Sequence, residues 1–218
     1  MPTVAITGSN RGIGLALAKQ LSSRGDQVFA LCRSASPELR ALGVQIIENV
    51  DVTALNHIQR VSSQLPKLDT LINNAGVLVR DSINDLSVKM LQKQFEVNAL
   101  GPLLLTKALL PNLGSGSKVV IVTSRMGSID DNTSGRFYGY RMSKAAVNMA
   151  GKSLSNDLHP QGIAVALLHP GYVRTDMTGG NGFIEPTESA RGLIEQIDRL
   201  TLSTSGSFWH ANGDLLPW

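Results

Sequence analysis

The chain has 218 residues, 42% of them hydrophobic, enough to bury a full core and suited to one domain spanning residues 1–218. Its 20 Lys and Arg residues stand among 17 acidic ones, and no run of five or more like charges marks a nucleic-acid or membrane-surface patch. Cys32 is single, so no intrachain disulfide forms, and Met1 leads into "PTVAIT" without a charged stretch and apolar core, so a cytoplasmic location is expected.

In chain order, short apolar or β-branched runs at 3–7, 27–32, 44–49, 69–74, 118–124, 163–169 and 206–211 read as seven strands. Helical spacing lies between them, clearest where Ala190, Leu193, Ile194, Ile197 and Leu200 share a face after a Pro186-Thr187-Glu188 start. Strand alternating with helix predicts an α/β fold, a parallel sheet with helices on both faces. "ALGPLLLTKALL" is too short for a bilayer and is broken by Lys107, so no membrane span is expected.

The first strand runs into Gly8-Ser9-Asn10-Arg11-Gly12-Ile13-Gly14. Between a strand and a helix, three glycines let the backbone pass close under a pyrophosphate seated at the positive helix N-terminus. An ordinary tight turn is the competing explanation. The second strand ends in Arg33, where a site for NAD would place an acid on the ribose 2′-hydroxyl. Glu38 is better explained by a short helix with Ser36 as N-cap and Pro37 at its first position. Arg33, with Arg11 as a second cation, favours NADP(H) over NAD(H), unless both are solvated surface residues.

Further on, "FYGYRMSKAAVNMA" puts Tyr140 and Lys144 four apart, on one helical face. An ammonium close to a phenol draws its pKa down from ~10 toward the working range, which makes the pair a candidate general acid. The four histidines, His57, His159, His169 and His210, are too scattered to suggest a metal site, and His169 is expected to be structural. Trp209 and Trp218 are expected to fill a core or interface.

Taken together, the glycine loop Thr7–Gly14, Asn73-Asn74-Ala75-Gly76, Asn98 in "EVNALGP", Ser124 in "IVTSRMGS", Tyr140-x-x-x-Lys144 and Pro170-Gly171 resemble, in order, the short-chain dehydrogenase/reductase family, with a small C-factor-like and carbonyl-reductase-like branch as the nearest match. The resemblance implies a Rossmann fold with a seven-stranded parallel sheet, and an oxidoreductase that interconverts a small-molecule carbonyl and an alcohol. It implies Tyr140 as proton donor, Ser124 holding the reacting oxygen, and Lys144 gripping the nicotinamide ribose while lowering the Tyr140 pKa. Asn98 would keep a relay water in place. Asp51, with Val52, would contact adenine; Asn74, Ala75 and Gly76 would line the adenosine ribose; Val173 and Thr175 would face the carboxamide and phosphates. The ordinary roles remain open beside these: Asp51 as a helix cap, Asn98 serving buried backbone, Ser124 ending a strand.

Two departures bear on the pocket. Tyr140 follows Ser124 by 16 positions, a few more than the family usually shows, so a larger loop is expected beside the reacting centre. Between Met177 and Glu185 only "TGGNGFI" stands where larger members carry covering helices, which predicts a shallow, mobile lid. Ala145, Ala146, Ala150 and Gly151 would pack either on the sheet or across a two-fold axis, the family forming homodimers or homotetramers through this region. A C-factor-like signalling protein with secondary or vestigial reductase activity is the alternative function.

Overall fold

The computed structural model describes residues 1–218. Seven strands, β1 (Thr3–Thr7), β2 (Gln27–Leu31), β3 (Gln45–Ile47), β4 (Thr70–Asn73), β5 (Lys118–Val122), β6 (Ala164–His169) and β7 (Ser207–His210), pair in parallel in the order β3-β2-β1-β4-β5-β6-β7. Each falls within the run expected from the sequence.

Because both faces of the sheet are covered, successive residues of one strand feed opposite cores. Val4 and Ile6, with Val120, Val122, Ala166 and Leu168, pack against Leu17 and Leu21 of α1 (Gly12–Arg24) and against Leu193 and Ile197 of α7 (Pro186–Arg199). Ala5, Leu71, Val119 and Val165 face the other way, toward Ile58 and Val61 of α3 (Leu55–Gln64), Leu105 of α5 (Gly101–Ala108) and Leu158 of α6 (Tyr138–Leu158). The short α2 (Pro37–Arg40) starts as expected, with the Ser36 hydroxyl accepting from the Leu39 N–H at 3.2 Å.

α4 (Val88–Phe95) runs into α5 through one π-helical turn, Glu96–Leu100. Pro102 has no N–H to offer the Asn98 carbonyl, the partner an unbroken α-helix would supply, and the helix widens at that point. Gly151 of α6 faces the sheet, where a side chain would meet Leu167 and Ile121, so at this position the small residue serves the core.

The strand order reverses between β1 and β4, which opens a crevice above their C-terminal ends. Leu71 is fully buried in the central β4. Leu71→Ala is expected to cost about 2–5 kcal/mol in urea unfolding; a loss below 1 kcal/mol would show that this core collapses around the gap.

Candidate active site

The crevice begins at the glycine loop. Gly8 adopts a left-handed φ of 65°, and a side chain on Gly14 would overlap the Gly8 carbonyl. Arg11 stands at the N-cap of α1 without a side-chain cap, and no acid occupies the first turn, so the helix start is left open to an anion. The loop is stitched to the end of β4: the Thr7 hydroxyl accepts from the N–H groups of Asn74 and Ala75, both at 3.0 Å. The Asn74 amide donates to the carbonyls of Thr7 at 3.0 Å and Gly8 at 3.3 Å. Across the crevice, Thr175 faces Gly12, and Arg11 pairs with Asp176 at 3.1 Å. Both partners of that pair are well exposed, at 67% and 76%, so it holds Arg11 weakly.

The remaining loop residues and second-strand candidates divide. Ser9 is buried and its hydroxyl turns back to the Leu31 carbonyl at 3.3 Å, and Ile13 packs on the core. Asn10 is half-buried, and Arg33 is exposed just beyond β2. Asp51 does not cap α3, which starts at Leu55 after Ala54; its carboxylate closes a local turn, accepting from the Thr53 N–H at 2.9 Å and hydroxyl at 2.7 Å. Those bonds hold its pKa below the usual range, with Arg33 adding to the effect. Val52 lies buried against Gly101 at the head of α5.

Ser124, Tyr140 and Lys144 meet above β5, all buried. Ser124 follows the strand and caps a short turn, accepting from the Met126 N–H at 3.1 Å. Tyr140 and Lys144 share a face of α6, with the ammonium 5.7 Å from the phenol ring centroid. That ammonium donates to the Val122 carbonyl at 3.0 Å and lies near Gly76. Here the structure differs from the expected acidified phenol. Burial pushes the Tyr140 hydroxyl up to about 12, opposed only by the Ser124 hydroxyl, while burial brings Lys144 down to about 8. Lys144 lies beside the ring and donates to the Val122 carbonyl, and burial governs the phenol in this arrangement.

Asn98 completes the cluster from the π-turn. Its side-chain oxygen accepts from the Val77 N–H at 2.8 Å, and its amide donates to the Val77 carbonyl at 2.8 Å and to the Ser143 hydroxyl at 3.0 Å. The side chain therefore serves buried backbone.

The segment from Arg125 to Phe137 forms the expected larger loop. It opens with a 3-10 turn over Arg125–Gly127, and Arg125 pairs with Asp131. At its far side, the Ser128 hydroxyl donates to the Trp218 carbonyl at 3.0 Å, and Trp218 stacks on Phe208 at 5.5 Å. Trp209 packs on the core. The opposite wall follows Pro170, whose carbonyl accepts from Ser189, and Gly171, which lies against Ile184. Val173 is buried and bridges to Ile184; Thr175 and Thr178 form a capping box around one 3-10 turn, Asp176–Thr178. No helix covers the pocket there beyond that turn.

The match to known proteins accords with this geometry. The family model for short chain dehydrogenases matches residues 2–182. The chain belongs to that family. It is 42% identical to the 1-hydroxy-2-glutathionyl-2-methyl-3-butene dehydrogenase of Rhodococcus sp. strain AD45, over the full length of both chains. It is 47% identical to the C-signal protein of Myxococcus xanthus over 69% of this chain and 93% of that one. Among solved structures, the NADPH-bound carbonyl reductase from chicken fatty liver superposes with a TM-score of 0.91 at 29% identity, covering 100% of this chain and 99% of that one. The family brings with it a nicotinamide dinucleotide cofactor, and the open N-terminus of α1 over a glycine cradle fits a pyrophosphate. No helix is long and apolar enough to cross a membrane.

Asp81 and Gln94 carry no signal in the sequence, and Thr7, which opens the glycine-loop motif, gives no sign there of its hydroxyl's hold on Asn74 and Ala75. His169, at the end of β6, packs edge-on to His210 at 4.9 Å, with its Nδ1 buried and without a partner. Burial, then the neighbouring His210, Arg125 and Lys144, lower its pKa to about 3. Below the ordinary imidazole value near ~6.5, the unfolded chain takes up a proton that the folded chain refuses. Stability is therefore expected to fall as pH drops from ~6.5 toward 3, by up to about 1.4 kcal/mol per pH unit from this group. Urea midpoints measured across that window should decline more gently in His169→Asn; equal slopes would refute the assignment.

Proposed function

We propose that the chain is an NADP(H)-dependent oxidoreductase that interconverts a carbonyl and an alcohol, with Tyr140 as general acid in reduction and general base in oxidation. The observation that carries this reading is the meeting of Ser124, Tyr140 and Lys144 in one buried cluster beside the glycine cradle. Similarity to an NADPH-bound carbonyl reductase along the whole chain supports it. When bound, the cofactor supplies or accepts the hydride at the carbonyl carbon. In reduction the oxygen becomes alkoxide-like, far more basic than a phenol, so a Tyr140 hydroxyl that stays neutral at physiological pH is in the right state to give up its proton. Ser124, whose hydroxyl lies beside that of Tyr140 and accepts from the Met126 N–H, holds the same oxygen.

Lys144, brought to about 8 by burial, remains mostly protonated at neutral pH and leaves the Val122 carbonyl to hold the nicotinamide ribose hydroxyls. In that position its charge also lowers the phenol. The Asn98 carbonyl, denied Pro102 as a donor, is the atom on this π-turn suited to hold a relay water. Arg33, exposed and without an acid partner in an ion pair, and Arg11, held by one exposed pair, bind the 2′-phosphate; Asp51 and Val52 flank the adenine, and Asn74 to Gly76 the ribose. Pro170, Gly171, Val173 and Thr175 form the wall facing the carboxamide. The protein works in the cytoplasm.

A panel of aldehydes, ketones and quinones with NADPH tests the reading. It should include, in the oxidative direction, a glutathione-thioether alcohol, the kind of compound named for the Rhodococcus relative. Tyr140→Phe is expected to lower kcat by about 10²-fold or more, with NADPH affinity kept; full turnover in that variant would end the proposal. Arg33→Ala and Arg11→Ala should each weaken NADPH about tenfold and leave NADH unchanged in fluorescence titration.

A second reading rests on the likeness to C-signal, a signalling role with secondary reductase activity. Dinucleotide binding without turnover of any panel compound would favour it. Phe95 of α4, with Met142 and Met149 of α6, forms an exposed apolar strip, which supports a homodimer or homotetramer. Light scattering should give a mass of two or four chains; a monomer of 23.3 kDa would refute this.

A further inference from the structure

After β4 the chain crosses the crevice floor as an extended segment with no strand beside it. Side chains from the α4 helix and its π-turn replace the missing strand at alternate residues. Asn98 takes both main-chain groups of Val77, and Gln94, one turn earlier, accepts from the Val79 N–H at 2.8 Å. The next alternate residue, Asp81, is itself buried and acts in the other direction. Its carboxylate accepts from the N–H groups of Tyr138 at 2.5 Å and Gly139 at 3.1 Å, the first two residues of α6. Its carbonyl accepts from the Phe137 N–H at 3.0 Å.

The start of α6 needs such a hold. Gly135, Arg136 and Phe137 have φ of 63°, 56° and 54°, a left-handed turn in which two of three residues carry side chains that disfavour it. Phe137 stands at the N-cap and offers no side-chain cap of its own. Gly139 lets the first helical turn close on this anchor, since a side chain there would run into the Gln94 amide and come within 3.2 Å of the Asp81 carboxylate. A carboxylate at a helix N-terminus is also favoured by the helix dipole.

We propose that Asp81 is a positioning residue for Tyr140: from across the crevice floor, its buried carboxylate caps α6 and holds the helix start, and with it the phenol two residues beyond Tyr138, in place against the strained turn. The inference rests on Tyr140 being the proton donor. Asp81 touches no reacting atom.

The experiment compares Asp81→Ala and Asp81→Asn with wild type and Tyr140→Phe, using NADPH and the panel compound turned over fastest. Asp81→Ala is expected to lower kcat about tenfold or more, with NADPH Kd and KM changed less than twofold, and Asp81→Asn, which keeps one acceptor oxygen, to recover part of the loss. Amide hydrogen exchange should quicken in 138–144 of Asp81→Ala while β1 and α1 keep their protection. A kcat within twofold of wild type in Asp81→Ala, or Asp81→Asn no faster than Asp81→Ala, overturns the proposal. If Asp81→Ala does not fold, Asp81→Asn decides alone: kcat down about threefold or more with Kd unchanged supports it, and unchanged kcat overturns it. Persistent turnover in Tyr140→Phe would instead show that the reading of Tyr140 is wrong, whatever the Asp81 variants do.

Discussion

The seam between β1 and β4 is the constraint on which the rest of the molecule depends. In a parallel sheet every return of the chain must cross over a face, and here the first three strands build outward before the fourth comes back beside the first. The two strand ends then have no common connection above the sheet, and the gap between their loops is the crevice. Thr7 keeps that gap to a fixed shape. One hydroxyl accepts from two consecutive N–H groups beyond β4, so the glycine loop and the crevice floor are joined by short hydrogen bonds instead of by packing. Every functional group follows from that seam: the cradle on one side, Asn98 and Lys144 around Gly76 on the other.

Beyond the seam the architecture changes its means of holding backbone. Inside the sheet, main-chain groups pair with one another; past Asn74 they are met by the amide side chains of Asn98 and Gln94, and the Asp81 carboxylate in turn meets main-chain N–H groups at the start of α6. A buried N–H or carbonyl without a partner is costly, so these side chains are fixed by the same requirement that makes a ladder. The advantage over a further strand is reach. Asn98 bonds at once to the crevice floor and to Ser143 on α6, so floor and helix keep their spacing without a sheet between them.

Much of this was legible in the residues. Alternation of strand and helix gave the architecture, because a strand covered on both faces reads as an unbroken apolar run such as Val119, Val120 and Ile121. Glycines at 8, 12 and 14, and a Tyr and Lys four apart, were visible because their spacing is local. What depended on contacts distant in sequence was not. Asp81 lies in "VRDSIND" like any loop acid, and only the fold brings it to a helix start 57 positions later. The ionisation of Tyr140 could not be inferred from Lys144 alone, since burial of both groups outweighs their separation along the helix. Asp51, one candidate helix cap, instead turns onto Thr53 because the helix begins four residues on.

The short excursion after Pro170 has a consequence for how such a protein can change. Its backbone is tied internally, Phe183 N–H to the Tyr172 carbonyl at 2.7 Å and the Thr178 hydroxyl to the Val173 carbonyl at 2.9 Å, while Phe183 itself is 82% exposed and rests edge-on against Tyr172. The rim's outline is thus drawn by side chains that bear no weight, over a main chain that does not rely on them. Mutation can reshape the entrance and leave the machinery beneath intact, so that new selectivity evolves without a toll on folding.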